Sequence, residues 1–301
     1  MRMGLLGALL SAVIAGPALA GKVTIDTATG PATVTANPTR VAVFDIAALD
    51  TLTALGVTVA GVPSPVYVDS LQNVAEAAQV VGTLFEPDFE ALAVLQPDLI
   101  VIGGRSSAQA KALADIAPVI DMTISGGDTV AQAHARIAAF GAIHGKRAEA
   151  EALSAELDAR LASVRSAVSG KGNALVLLTN GGKISAFGAG SRFGWLHSAL
   201  GLPEAVPGLD SETHGQSVSF EFVADADPDW LLVVDRGAAV GAGGGAAAAT
   251  LDNRLIARTK AARNGRIVFL DATTLYIAGG GANAMMRTLG EIASAFGDPD
   301  S

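Results

Sequence analysis

The chain has 301 residues, enough for two ordinary domains with a sizeable core, and its 35 glycines and 16% charged residues describe an alanine-rich α/β protein. The absence of cysteine excludes disulfides and a thiol nucleophile. Acidic residues outnumber basic ones 29 to 20, and the net charge of -9 argues against nucleic acid as a partner, because phosphates call for a basic surface.

The opening MRMGLLGALLSAVIAGPALAGK places Arg2 before an apolar run and an Ala18-Leu19-Ala20 cleavage site. It is expected to be a secretory signal peptide over residues 1–20, cut after Ala20, with the mature protein free in a bacterial periplasm. No cysteine near the site is available to carry a lipid anchor. Beyond it, no uncharged run of about 18 apolar residues predicts a membrane-spanning helix. The alternating KVTIDTATGPATVT predicts a strand pair turning at Gly30-Pro31. RVAVFD then reads as a buried strand, IAALDTLTALG as a helix ending at Gly56, and VTVAGVP as a further strand.

A near-repeat follows. FEALAVLQPDLIVIGGR, Phe89 to Arg105, aligns without a gap to FEFVADADPDWLLVVDR, Phe220 to Arg236, about 130 residues later. Both predict helix, Pro-Asp turn, short covered strand and an arginine at the strand's carboxyl end. In open α/β sheets that edge is where ligands bind.

From Thr129 to Ser169 apolar positions recur at helical spacing, with Gly141 and Gly145 weakening the first half. The second half, roughly 35 Å long at 1.5 Å per residue, is long enough to run between two lobes. Beyond it NALVLLTN, KISAFG and RIVFLDA predict strands, WLHSALG a helix and MMRTLGEIASAF a closing helix, while GAGGGAAAA (241–249) reads as a flexible low-complexity loop. The expected architecture is α/β: two Rossmann-like lobes bridged by one long α-helix. The expected boundaries are an N-terminal lobe over 21–142, the linking helix over 143–169 and a C-terminal lobe over 170–301.

Enzyme signatures are thin: there is no Gly-x-Ser-x-Gly elbow, Walker A sequence or His-Glu-x-x-His. GAGSRFG (188–194) has loosely dinucleotide-like glycines without the acidic residue that should follow. His134, His144 and His197 sit in helical segments and read as surface or core residues. His214, in the loop SETHGQSVS, is open to either a binding or an inert surface role. Tyr67 lies in the Pro-bounded VPSPVYVDS, and Tyr276 precedes a triple glycine, where packing and ligation both stand. Phenolate and imidazole are good ligands for ferric iron, a hard cation. Arg105, Arg192 and Arg236 each follow a loop or strand end and together suit an anionic ligand in an acidic protein.

With these motifs in view, the chain resembles the helical-backbone (class III) periplasmic siderophore-binding proteins of ABC importers, most closely the catecholate, enterobactin-type binders. The resemblance runs from RVAVFDIAALDTLTALG through NVAEAAQVVGTLFEPDFEALAVLQPDLIVIGGR to IAGGGANAMMRTL. It implies a monomeric binding protein rather than an enzyme, with no intrinsic cofactor. Its cargo would be a ferric siderophore, held by pocket arginines Arg105, Arg192 and Arg236. It further implies that His214 and Tyr276 fill the two iron positions left open by a four-oxygen siderophore, and that Glu90 and Glu221 dock the inner-membrane permease. Trp195, Phe193 and Tyr276 are the candidate stacking partners. Haem, cobalamin and hydroxamate siderophores are alternative cargoes on the same fold, and a periplasmic iron-releasing enzyme is a remote alternative.

Overall fold

The structure is a computed structural model that describes residues 21–210, 214–242 and 245–297; the expected signal peptide lies outside them. It opens with an antiparallel pair, β1 (Lys22–Thr27) and β2 (Gly30–Thr35), in which Lys22 faces Thr35 and Thr27 faces Gly30. The turn is therefore Ala28-Thr29, and Gly30-Pro31, expected to make it, begins the second strand.

The first lobe holds a five-stranded parallel sheet. Its order is β5 (Gln79–Val80), β4 (Gly61–Val62), β3 (Val41–Val43), β6 (Leu99–Ile102) and β7 (Val119–Asp121). The second sheet is mixed. β8 (Ala174–Asn180), β11 (Trp230–Asp235) and β12 (Ile267–Leu270) run parallel, while β9 (Lys183–Phe187) pairs antiparallel with β8 and β10 (Gln216–Val218) with β9. The reversal follows from sequence: only Gly181 and Gly182 separate β8 from β9, and both take positive φ (55° and 82°), as a tight two-residue hairpin turn requires.

Between the sheets runs the helix Arg147–Val168, about 33 Å long at 1.5 Å per residue. The preceding helix Thr129–Ile143 stops before it at His144–Lys146, where the weak glycine spacing predicted a break. Both pack side by side, and the closing helix Ala282–Phe296 packs on the long one. One apolar core consequently runs without interruption from Val41 and Leu49 through Leu157 and Val164 to Leu232 and Leu289. A smaller cluster covers the outer face of each sheet.

The lobes are also joined by polar contacts. The helix Ile46–Ala54 of the first lobe caps the closing helix from outside: Asp50 Oδ2 accepts from Ala284 N at 3.1 Å, and Thr51 Oγ1 from Ala282 N at 3.2 Å. Asp50 is 1% exposed, and burial pushes its carboxyl up to about 6 against the opposing hydrogen bonds from Ala284 and Asn283.

The alanine-rich part of 241–249 differs from expectation. Ala246–Leu251 is a helix, not a loop, because alanine is the best helix former and Asp235 Oδ2 takes the free Ala247 N–H at 2.9 Å.

Candidate ligand-binding cleft

Three arginines from three different elements meet at one residue. Arg105 follows β6 through Gly103-Gly104 and crosses between the lobes, donating from Nη2 to the Tyr276 carbonyl at 2.8 Å and from Nη1 to the Ile277 carbonyl at 3.3 Å. Arg192 donates to the same Tyr276 oxygen at 2.8 Å. Its guanidinium lies 4.5 Å from the Tyr276 ring centre and 5.0 Å from that of Phe193. Arg236, directly after β11, donates from Nε to the Tyr276 hydroxyl at 3.4 Å and from Nη1 to Asn180 Oδ1 at 3.4 Å.

Local chemistry explains each placement. Tyr276 sits in a single π-type turn, Thr273–Ile277, held at its start by Asp271 Oδ1, which accepts from Thr273 N and Oγ1 and from Thr274 N. Such a turn leaves main-chain carbonyls free of regular helical pairing, and two arginines use them. The Gly188–Gly194 loop is folded tightly on itself, with Ser191 Oγ donating to the Gly188 carbonyl and Ala189 N–H held by Glu204 Oε1. Any side chain at Gly194 would run into the Ala189 carbonyl, so close backbone approach accounts for the glycine there. Arg236 begins a one-turn helix whose first amides are capped by Asp235 Oδ1.

All three arginines and Tyr276 are half-buried. Burial, and then the neighbouring Arg105, lower the Arg192 guanidinium below its ordinary range, with Tyr276 opposing. Like charges gathered around one carbonyl make a site that gains from an anion. A further arginine, Arg136, lies buried in the first lobe against Asp45 at 3.6 Å, with one Nη atom unpaired. Asp45 and Asp121 offset its charge.

The other expected residues fall elsewhere. His214 is exposed at the turn before β10, next to residues outside the described set, and no described contact joins it to the arginines. Phe193 and Trp195, expected as stacking partners, are 1% and 2% exposed: they pack into the core, with Phe193 beneath Arg192, and offer no face to a ligand. Glu90 and Glu221 are both exposed in the first turn of their helices, Phe89–Leu95 and Phe220–Ala226. Asn180, at the carboxyl end of β8, was not anticipated; a polar residue ending an apolar strand is its only sequence signal. Neither of two cavities, of about 470 and 620 Å³, is lined by the arginines or Tyr276, although the first adjoins them at Asp235 and Thr273. The first contains Asp235 and Asp271, whose carboxylates are already satisfied by local amides, and the second lies along Arg160, Arg287 and the closing helix.

Residues 41–274 match the family model described as periplasmic binding protein. The chain belongs to this family. It is 36% identical to the petrobactin-binding protein YclQ of Bacillus subtilis (strain 168) over 260 residues, covering 85% of this chain and 82% of YclQ. The YclQ crystal structure superposes with a TM-score of 0.86, covering 92% of this chain and 99% of that one at 34% identity. The periplasmic catecholate-siderophore binding protein VctP of Vibrio cholerae gives 0.85 at 32% identity, covering 91% and 100%. The siderophore binding protein BauB, solved with two acinetobactin molecules and ferric iron, gives 0.85 at 30% identity, covering 92% and 99%. The fold is that of a class III periplasmic binding protein, and the family consists of binding proteins. Among the described residues no helix is long and apolar enough to cross a membrane.

Proposed function

We propose that this protein captures a ferric catecholate siderophore in the periplasm and delivers it, as a monomer without intrinsic cofactor, to an inner-membrane ABC importer. The observation that carries the proposal is the meeting of Arg105, Arg192 and Arg236 at Tyr276 in a protein of net charge -9. Ferric iron with two catecholates carries about one negative charge and with three about three, and guanidinium groups match such oxygens in both charge and geometry. Relatives named for petrobactin and catecholate siderophores, and a ferric complex seated in BauB, support cargo of this kind.

In this proposal Arg105 and Arg192 exchange part of their bonding to the Tyr276 carbonyl, and Arg236 its long bonds to the Tyr276 hydroxyl and Asn180, for the chelate's oxygens. Tyr276 binds the iron of a four-oxygen chelate as phenolate, its proton displaced to solvent as the metal–oxygen bond forms, with Arg236 within hydrogen-bond reach of that oxygen. His214 supplies the remaining position as neutral imidazole, which requires the turn that carries it to bring it to the bound chelate. Six-oxygen chelates need neither residue and rely on the arginines.

The test is a titration of the mature protein with a ferric bis-catecholate, a ferric tris-catecholate, haem and a ferric hydroxamate, read by visible absorbance. Tight binding of the catecholates is expected, with a charge-transfer band for the four-oxygen complex that shifts on binding and reverts in His214→Ala/Tyr276→Phe. Saturable binding of haem or hydroxamate alone would overturn the cargo. Equal losses for four- and six-oxygen chelates in the double variant would overturn iron ligation.

A further inference from the structure

The chain has only two tyrosines, and both lie where the lobes meet: the Tyr276 carbonyl accepts from Arg105 of the first lobe, and Tyr67 comes close to Gly241 of the second. Tyr67 lies in the loop after the carboxyl end of β4, flanked by Val66 and Val68, which are buried. Gln72 fixes that loop by donating its side-chain amide to the carbonyls of both valines. Tyr67 itself stays half-buried and points at the other lobe: a methyl group at Gly241 would lie 3.9 Å from its Cε1. Gly241 closes the short helix that Arg236 opens, through its N–H to the Ala238 carbonyl at 3.2 Å. Arg236 in turn reaches the Tyr276 hydroxyl.

We propose that Tyr67 is the aromatic wall of the cargo cleft, stacking on an aryl ring of the bound chelate and favouring aromatic over aliphatic ferric chelates. The inference rests on the siderophore proposal and names a specificity residue within it. Other aromatic surfaces near the arginines are taken: Phe193 and Trp195 are buried, and the Tyr276 ring has the guanidiniums of Arg192 and Arg105 at 4.5 and 5.6 Å. Tyr67 packs partly against the core but stays half-buried, no described contact stacks a guanidinium or another ring on it, and its anchored loop presents it with little conformational freedom to lose. Offset aromatic pairs are stabilising by about 0.5–1.5 kcal/mol beyond area burial.

Wild type, Tyr67→Phe and Tyr67→Leu are titrated with a ferric bis-catecholate and with ferric citrate, after thermal melts have matched their stabilities. The Phe variant keeps the ring, and the Leu variant keeps apolar bulk without it. The bis-catecholate should bind Tyr67→Leu roughly three- to tenfold more weakly, with Tyr67→Phe within about twofold of wild type. Any ferric citrate binding should be unchanged in both. Equal catecholate affinity for the Leu and Phe variants, or a parallel loss of citrate, overturns the role of Tyr67 while leaving the siderophore proposal standing. Failure of the wild type to bind the bis-catecholate overturns both.

Discussion

The two near-repeats fold alike at their start and diverge at their end. Each helix begins with a side-chain cap, Asp88 Oδ1 to Ala91 N at 2.9 Å and Ser219 Oγ to Phe222 N at 3.2 Å. Each ends in a left-handed residue, Gln96 or Asp227, and turns through Pro-Asp into a buried strand. In both, the aspartate ties down the residue that enters the neighbouring strand. Asp98 accepts from Thr39 and Arg40 before β3, and Asp229 from Asn173 before β8. The arginines then part company. β6 ends at Ile102 and the two glycines carry Arg105 across to the opposite lobe, whereas β11 runs on to Asp235 and Arg236 stays within its own lobe. One sequence column has therefore acquired two jobs, and backbone length after the strand decides which.

The largest expected effect separates those arginines. Each loses charge-assisted hydrogen bonds to cargo when truncated, about 1.5–3 kcal/mol or roughly tenfold to a hundredfold in affinity. Arg105→Ala should also lower thermal stability, because its bonds to the Tyr276 and Ile277 carbonyls join the lobes. Arg236→Ala should leave stability nearly unchanged. Paired titrations and melts decide the matter: equal melting temperatures would remove the inter-lobe role of Arg105, and unchanged affinity in Arg236→Ala would remove it from the cleft.

The aspartates come next. Asp98→Ala removes the acceptor of Thr39 N, Thr39 Oγ1 and Arg40 N, and a loss of about 1–2 kcal/mol is expected; Asp229→Ala, which leaves Asn173 N unpaired, should cost about 1 kcal/mol. Urea unfolding measures both. Burial pushes the Asp98 carboxyl up, but the hydrogen bonds from Thr39 and Arg40 outweigh it and hold the group below its ordinary value. A depressed carboxylate stabilises the fold above its unfolded pKa, so the Asp98 contribution should be complete at neutral pH and fade as pH falls below about 4. A wild-type minus Asp98→Ala difference that persisted unchanged at pH 3 would contradict this account.

These contrasts also mark what sequence can carry. Pro-Asp punctuation, apolar runs and the long helical stretch were legible because local chemistry dictates them, and so were the arginines at strand ends and in the glycine loop. Their meeting at Tyr276 was not, since it depends on carbonyls freed by a π-type turn that no residue pattern announces. In sequence Phe193 and Trp195 read as candidate stacking partners, because an aromatic beside a glycine loop looks the same whether it faces ligand or core; both are buried. The stretch 241–249 reads as a loop in sequence because its glycines mask the start of the helix Ala246–Leu251, which Asp235 stabilises from a distant strand end. The local marks of Tyr67, a Pro-bounded loop, and of Asn180, a polar end to an apolar strand, are too common to single them out; the nearness of Gly241 to one and of Arg236 to the other comes only from the fold.

The smallest effect on binding is expected at Glu90 and Glu221, the paired carboxylates proposed to meet the permease. Both are exposed, and hydrogen bonds from its own backbone N–H and from Ser219 lower the Glu221 carboxyl. Neither touches the arginine cluster in any described contact, so Glu90→Ala and Glu221→Ala should leave cargo affinity unchanged and reduce uptake, measured with radiolabelled ferric chelate in cells. Their surroundings differ: Phe89 beside Glu90 is 41% exposed, whereas Phe220 beside Glu221 packs partly into the second lobe's core. Rim charges set encounter and orientation and are screened by salt, while apolar contact is not. With permease in liposomes, Glu90→Ala should therefore reduce transport less than Glu221→Ala, because the exposed Phe89 remains beside the first position as a salt-insensitive contact, whereas the phenylalanine beside the second is packed partly into the core. Equal losses in the two single variants would mean that the two lobes dock equivalently despite the exposed phenylalanine, and normal uptake in the double variant would remove both glutamates from the docking surface.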